Sequence, residues 1–187
     1  MKQIGDFNGE EMLVGMYGLF KNAREAEWAL KEHDLPKGKW KRVIDPEGEA
    51  FCVIVTDHYV LGVKTGRVIA IDKKTKEKLP PRMGFHHLLT GDVSPDESEI
   101  VVLEQGTHFH VLSVPDFEVK KKVTLPRGYY ASDVFPTYSE DGKTLTVDAQ
   151  KYDYTDRKYI FIRCEYETEN FTLLNKTEIA LDQMDKV

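Results

Sequence analysis

The chain has 187 residues, of which 41% are hydrophobic and 31% charged, and its formal net charge is −6. This balance is typical of a soluble domain that is large enough to bury one core. No stretch approaches the roughly 20 apolar residues that cross a bilayer, and the first residues lack the basic opening and apolar centre of a targeting peptide. The sequence therefore predicts a single cytoplasmic domain, residues 1–187, that binds no membrane.

Residues 1–42 are predicted to form an N-terminal segment with one helix. Residues 12–20 are apolar but contain two glycines, which suits an edge strand or a short packed segment. The helix is predicted at residues 22–33, because Asn22 can cap its first turn and Glu25 follows three residues later. Pro36 and Gly38 are typical of the end of a helix.

A basic cluster with one aromatic residue follows the predicted helix. Lys37, Lys39, Lys41 and Arg42 surround Trp40, a pattern that can contact phosphate or nucleic acid. No other part of the chain is basic enough to sustain such binding. We therefore predict a solvated linker beside a partly buried Trp40, and no nucleic-acid partner.

Residues 43–187 repeat one pattern, in which a polar turn precedes three short strands. Its clearest copy spans residues 92–125, where the turn Ser94-Pro95-Asp96 precedes the apolar run 100–103. Such a run, rich in β-branched residues, is typical of a strand buried on both faces. The predicted strands of the three copies are 51–55, 59–63 and 67–72; 100–103, 108–114 and 119–125; and 144–147, 159–163 and 171–174 with Ile179.

The polar turns recur about every 45 to 50 residues, which is within the range of propeller blades. The segments SPDESEIVVL (94–103) and SEDGKTLTV (139–147) resemble the repeats of WD40-like and bacterial β-propellers. The resemblance covers residues 43–181, although no strand ends in a Trp-Asp pair. It implies a mainly β fold of antiparallel meanders, in a partial propeller-like or sandwich arrangement after the N-terminal helix. It also implies a binding scaffold and no catalytic residues.

Acidic and tyrosine residues concentrate in the last third of the chain. Residues 129–187 contain 7 Lys or Arg and 12 Asp or Glu. Tyrosine supplies contact area at low entropic cost, and carboxylates steer a basic partner. The alternative is an ordinary solvated loop between the first two strands of the third repeat. The predicted partner-binding residues are Tyr129, Tyr130, Asp133, Asp148, Tyr152, Asp153, Tyr154 and Asp156.

The histidines offer the alternative of a metal-dependent hydrolase. His108 and His110 share one face of a predicted strand, and His86 and His87 lie in the preceding loop. Their spacing matches no common zinc signature, and the chain has no nucleophile, phosphate-binding or dinucleotide motif. We therefore predict no metal, no cofactor and no catalytic residue. The favoured function is a non-enzymatic protein-binding module, such as an inhibitor or immunity-type protein that covers a basic enzyme.

Two further predictions concern the cysteines and the oligomeric state. Cys52 and Cys164 lie in apolar strands, so we expect buried, reduced thiols. Closed propellers usually have about four to eight blades, so three blades leave exposed edges that must be covered. Either two copies complete a ring, or residues 12–20 and the helix cap a monomer. Lysines in the third strands favour the monomer.

Overall fold

The computed structural model describes residues 37–44, 50–64, 66–75 and 77–184, which form three antiparallel β-sheets. Sheet A contains, in spatial order, β1 (Gly38–Ile44), β2 (Ala50–Val55), β3 (Tyr59–Lys64), β4 (Arg67–Asp72) and β5 (Arg82–Met83). Sheet B contains β6 (Leu88–Val93), β7 (Glu99–Glu104), β8 (His108–Ser113) and β9 (Val119–Thr124). Sheet C contains β10 (Tyr130–Ala131), β12 (Thr144–Asp153), β13 (Lys158–Glu167) and β14 (Leu173–Ile179), and β11 (Thr137–Tyr138) also pairs with β12.

The predicted mainly β fold of antiparallel meanders is confirmed. Each of the nine predicted strands corresponds to a strand of the structure. The one helix of the described residues is a single 3-10 turn, Leu181–Gln183, and it is far too short to cross a membrane. The helix predicted at residues 22–33 and the apolar segment 12–20 lie outside the described residues.

The polar turns that open sheets B and C have the same hydrogen bonds. Ser94 Oγ donates to Asp96 Oδ1 at 2.7 Å, and Ser139 Oγ donates to Asp141 Oδ1 at the same distance. In each turn the backbone N–H five residues after the serine donates to its Oγ, at 3.1 and 3.0 Å. The repeat read from the sequence is therefore a repeat of atomic interactions.

Sheet B lies between the other two sheets because both of its faces are apolar. Along β7, Ile100 and Val102 pack with sheet A, while Val101 and Leu103 pack with sheet C. All four side chains are fully buried. Alternation along a strand places these two pairs on opposite faces, and a continuous apolar run is what such a central sheet requires.

Two stretches that were predicted as loops are strands. The basic cluster, apart from Lys37, lies in β1, which pairs with β2, so the predicted linker is wrong. Strand β12 continues to Asp153, so the predicted long loop, which included Asp148 and Tyr152, shrinks to residues 154–157. The reason is that every residue of β12 pairs with a residue of β13. This pairing satisfies the backbone N–H and C=O groups of a stretch whose polar side chains are typical of a solvated loop.

Candidate functional site

One face of sheet C packs against sheet B, and the opposite face carries a row of aromatic residues. Alternate residues of β12, including Leu145 and Val147, belong to the core between sheets B and C. Tyr152 therefore faces the other way, as does its partner Tyr159 on β13. We call this side the outer face of sheet C.

Four aromatic side chains on β12, β13 and the turn between them form what we call the tyrosine ladder: Tyr152, Tyr154, Tyr159 and Phe161. The Tyr152 ring lies 5.0 Å from the Tyr154 ring and 5.1 Å from the Tyr159 ring, both edge to face. Tyr159 stacks on Phe161 at 6.2 Å. These separations are those of favourable ring pairs. Tyr154 is 83% exposed and Tyr159 is 55% exposed, so the ladder is an ordered aromatic surface open to a partner.

The charged residues of the outer face are mostly carboxylates. Along β12 and β13, the carboxylates of Asp148, Glu165 and Glu167 face this side together with the cation of Arg163. Asp148 itself is buried and receives two hydrogen bonds from Arg163, at 2.8 and 2.9 Å, so its charge is balanced within the sheet. Hydrogen bonds from Asn170 and Thr172 lower the pKa of the Glu167 carboxyl to about 2. The outer face is therefore acidic near neutral pH.

The carboxylates at the β12–β13 turn stabilise the turn itself. Asp153 Oδ1 accepts the N–H of Thr155 at 2.8 Å, and hydrogen bonds from Thr155 and Asp156 lower the Asp153 pKa. Asp156 forms an ion pair with Lys158 at 3.2 Å. Arg157 adds a second cation, so the tip of the hairpin is nearly neutral.

Tyr129 and Tyr130 have different environments although they are adjacent. Tyr129 is buried between sheets B and C, and Lys151 Nζ lies 5.0 Å from the centre of its ring. Tyr130 pairs with Gln150 on the outer-face side of β12 and is 40% exposed. Together with Asp133 it lines an open groove of about 360 Å³ at the edge of sheet C.

The eight predicted partner-binding residues therefore fall into three groups. Tyr152, Tyr154, Asp153 and Asp156 lie at the hairpin, Tyr130 and Asp133 lie at the groove, and Tyr129 and Asp148 are internal. Sequence reasoning missed Tyr159 and Phe161, which complete the ladder. Their alternation along the predicted strand 159–163, opposite Tyr152, is the signal that could have found them.

A second candidate site lies at the β7–β8 hairpin, where Glu104 meets two histidines. The three-residue turn 105–107 places Glu104 beside His108. Glu104 Oε2 lies 2.5 Å from His108 Nε2 and 3.1 Å from His110 Nε2. The backbone N–H of His86 donates to Glu104 Oε1 at 2.6 Å. Burial alone raises the pKa of Glu104, but the hydrogen bonds from His86, His110 and His108 outweigh it and lower the pKa to about 2.

Only half of the predicted histidine group is formed. The ligand atoms of Glu104, His108 and His110 lie within 4.8 Å of one another, and neither imidazole of His86 or His87 belongs to this group. Those two residues contribute backbone atoms, since the carbonyl of His87 accepts the N–H of Gln105 at 2.7 Å. The group in the structure therefore contains the Glu104 carboxylate in place of the His86 and His87 imidazoles.

No protein-family model and no curated protein matches this sequence. Among solved structures, the Myceliophteria thermophila Cps50 (Swd1) β-propeller domain matches with a TM-score of 0.53 and 15% identity, over 78% of this chain and 50% of that one. A protein of unknown function from Bacteroides caccae matches with a TM-score of 0.48 and 16% identity, over 66% of this chain and 41% of that one. Kuenenia stuttgartiensis hydrazine synthase matches with a TM-score of 0.43 and 11% identity, over 65% of this chain and 46% of that one.

The chain spans about half the length of each of these three solved structures. The similarity to the Cps50 domain shows that the fold is propeller-like, as the repeats predicted. At 15% identity, that similarity shows the fold alone. Function has to be argued from the sites.

Proposed function

We propose that this chain is a protein-interaction module that binds a basic protein through the outer face of sheet C. The observation that carries the proposal is the tyrosine ladder, whose rings hold one another in place while Tyr154 and Tyr159 remain exposed. Tyrosines in such positions dominate the energetics of many interfaces, because little side-chain entropy is lost on binding. A propeller-like scaffold is consistent with this function.

The charge of the surface supports a basic partner. The outer face carries more carboxylates than cations, and a second open groove, of about 340 Å³, lies at the end of sheets B and C away from the β12–β13 hairpin. Its lining residues include Asp96, Glu99, Glu140, Asp141 and Glu169. Strand β12 has ten residues and is about 30 Å long. Acidic groups at the end of the strand away from the hairpin attract a basic protein from a distance, and the tyrosine ladder provides the close contact.

A specific form of this proposal is an inhibitor or immunity-type protein that covers a basic enzyme. Such a role needs a rigid surface with a few aromatic anchors and complementary charge, and no catalytic residue of its own. The ladder and the acidic outer face supply these features. Inhibition of the captured partner's activity by the purified chain distinguishes this form from simple binding.

The test compares the wild type with a double variant, Tyr154→Ser with Tyr159→Ser, as baits in the native lysate. Leu174→Ser is the matched control, because Leu174 is a 59% exposed apolar residue on edge strand β14. We expect a basic protein to be retained by the wild type and by the control but not by the double variant. With the purified partner, the double variant should bind at least about tenfold more weakly, and association should slow as salt rises. Equal binding by the double variant, or an acidic partner, would contradict the proposal.

A further inference from the structure

We infer that Glu104, His108 and His110 form a binding site for a divalent transition metal ion of the zinc class. The three side chains offer one carboxylate oxygen and two imidazole nitrogens, which are common zinc ligands. Both Nε2 atoms already point at the same oxygen, Glu104 Oε2. The site is independent of the tyrosine ladder, so this inference does not rest on the proposed function.

Two of the three separations between ligand atoms are close to those around a tetrahedral ion, and all three are within 4.8 Å. Ligand atoms of a tetrahedral zinc site lie about 3.3 Å apart when each metal–ligand distance is about 2.0–2.1 Å. The present separations from Glu104 Oε2 are 2.5 Å to His108 and 3.1 Å to His110. Entry of an ion therefore requires His108 to move away from Glu104 by less than about 1 Å. The His108 side chain is 22% exposed, which leaves it room to turn.

The electrostatics favour a cation more than a neutral guest. Glu104 contributes a carboxylate oxygen, which attracts a divalent cation more strongly than an uncharged ligand atom does. The His86 N–H bonded to Oε1 fixes the orientation of that carboxylate and leaves Oε2 available, as a supporting hydrogen bond does in known metal sites. The cation that opposes this arrangement is Lys122, which pairs with His110 across β8 and β9. Lys122 is exposed, so its ammonium can remain in water.

Packing holds the His110 ring so that one of its nitrogens is directed at Glu104. His110 is only 9% exposed, and its Nδ1 has no hydrogen-bond partner. An ion bound at Nε2 leaves the proton of the neutral imidazole on Nδ1, so a water or a small shift of a neighbouring group has to accept that N–H. The ring is held by the edge of Phe85, at 5.2 Å, with Nε2 directed at Glu104. Three protein ligands leave a fourth coordination position open, as in zinc sites that bind a small ligand or water.

The test is a titration of chelator-treated full-length protein with Zn²⁺, in competition with a coloured chelator, and with Co²⁺ followed by its visible absorption. We expect one ion per chain and the intense Co²⁺ bands of a four- or five-coordinate site. His108→Ala should weaken Zn²⁺ binding by more than about 100-fold, the upper limit for loss of a mere supporting group. His108 is the ligand of choice to replace because it is the least buried of the three.

Two controls separate this site from chance binding at other histidines. His58→Ala removes an imidazole that lies 2.9 Å from Glu97 but belongs to no group of three metal-ligating side chains among the described residues. His86→Ala removes an exposed imidazole but keeps the backbone N–H that holds Glu104. Both controls should bind Zn²⁺ like the wild type.

Absence of stoichiometric binding by the folded wild type would overturn the inference, as would equal loss of affinity in His58→Ala or His86→Ala. Glu104→Gln, checked for folding by circular dichroism, is expected to lose the site as well. If that variant does not fold, the imidazole nitrogen resonances of the wild type decide the point. Zn²⁺ should shift Nε2 of His108 and His110 together, and unshifted resonances would exclude the site.

Discussion

Glu97 occupies a position that belongs to glycine in the repeated turn. The equivalent residue of sheet C is Gly142, with a φ of 70°, and Glu97 has a φ of 56°. Such a backbone conformation is costly for a residue with a side chain. The Glu97 carboxylate compensates by accepting hydrogen bonds from Thr56 Oγ1 at 2.8 Å, the Asp57 N–H at 2.7 Å and the His58 N–H at 3.1 Å. These donors belong to the β2–β3 turn, so the strained residue joins sheet B to sheet A.

Replacing Glu97 by Gln should lower the free energy of unfolding by about 1–3 kcal/mol at pH 7, because bonds to a charged acceptor are stronger. Burial raises the pKa of Glu97, but bonds from Thr56, Asp57 and His58 outweigh it and leave the pKa lowered. The extra stability is therefore complete above the unfolded-state pKa of about 4.3, and it disappears as the pH falls through the folded-state pKa.

Urea unfolding of the two proteins between pH 3 and pH 7, a range chosen to bracket about 4.3, measures this difference. Glu140→Gln is the control, because Glu140 is an exposed carboxyl in the equivalent turn of sheet C. Its stability should follow that of the wild type. Equal stability of Glu97→Gln and the wild type at pH 7 would show that Glu97 does not couple the sheets.

The two cysteines should be reduced and slow to react in the folded protein. Cys52 and Cys164 are both buried and form no disulfide. Burial raises the pKa of the Cys164 thiol to about 11, and only the thiolate attacks a disulfide reagent. We expect no labelling by an aromatic disulfide reagent at pH 8 within minutes, and labelling of two thiols per chain after unfolding in urea. Rapid labelling of both thiols in the folded protein would contradict this.

At the scale of strands, the local sequence pattern predicts a strand correctly where the strand is continuously apolar. It fails where the strand carries polar side chains that bond to another sheet. The run Ile100 to Leu103 was predicted and is β7. Strand β6 was missed because Thr90 and Asp92 make it look like a loop. In the structure Thr90 Oγ1 donates to the Val134 carbonyl at 2.8 Å, which a reader of neighbouring residues alone could not foresee. Strand β1 was missed because its lysines suggested a solvated linker, whereas Lys39 forms an ion pair with Asp92 of sheet B.

The candidate sites were predictable to different degrees. The shared face of His108 and His110 follows from strand alternation. The contact with Glu104 does not, because it depends on the length of the hairpin turn between β7 and β8. Gly106, within that turn, is a turn signal from which the pairing could have been argued. The outer face of sheet C also depended on strand length, since β12 is far longer than the run 144–147 that its apolar residues indicated.

Gly91 on β6 provides a prediction about how closely two strands pack. A Cβ added at this position would lie 2.6 Å from the backbone oxygen of Val101 and 3.3 Å from a methyl group of Val63. The backbone oxygen cannot move without disturbing the β6–β7 pairing. Gly91→Ala should therefore lower the free energy of unfolding by about 1–3 kcal/mol, as overpacking of a core does.

Urea unfolding monitored by circular dichroism measures the effect of Gly91→Ala. Thr124→Ala, on the exposed edge strand β9, is the matched control and should change stability by less than about 0.5 kcal/mol. A Gly91→Ala protein as stable as the control would show that the two strands can separate at little cost.

At the scale of the whole molecule, one buried carboxylate joins all three sheets. Asp92 on β6 accepts the backbone N–H of Tyr138 on β11 at 3.0 Å, and it forms an ion pair with Lys39 on β1 at 3.2 Å. Burial raises the pKa of Asp92 although Lys39 opposes the change. The Tyr138 hydroxyl donates to Glu99 on β7 at 3.0 Å, which adds a second link between sheets B and C. Polar pairs between sheets therefore fix the relative positions that apolar packing alone leaves adjustable.

The outer face of sheet C is more polar than the faces of sheet B, which favours a monomer. In a two-copy ring, the outer face of sheet C packs against a sheet of the other copy, as sheet B packs within one chain. The faces of sheet B are suited to this, since Ile100 to Leu103 are all buried and apolar. The outer face of sheet C instead carries Arg163, Glu165 and the tyrosine hydroxyls. Their burial in a large interface costs free energy unless each finds a partner.

We therefore expect light scattering at micromolar concentration to give a mass near 21.5 kDa, that of one chain. The exposed lysines of edge strand β9, Lys120 to Lys122, also disfavour pairing between the edges of two copies. A mass of about twice 21.5 kDa would contradict the monomer. Light scattering on the double variant, Tyr154→Ser with Tyr159→Ser, then locates the contact. A return to the mass of one chain would show that the tyrosine ladder binds a second copy. An unchanged dimer would place the contact on another surface, and the ladder would remain available to a basic partner.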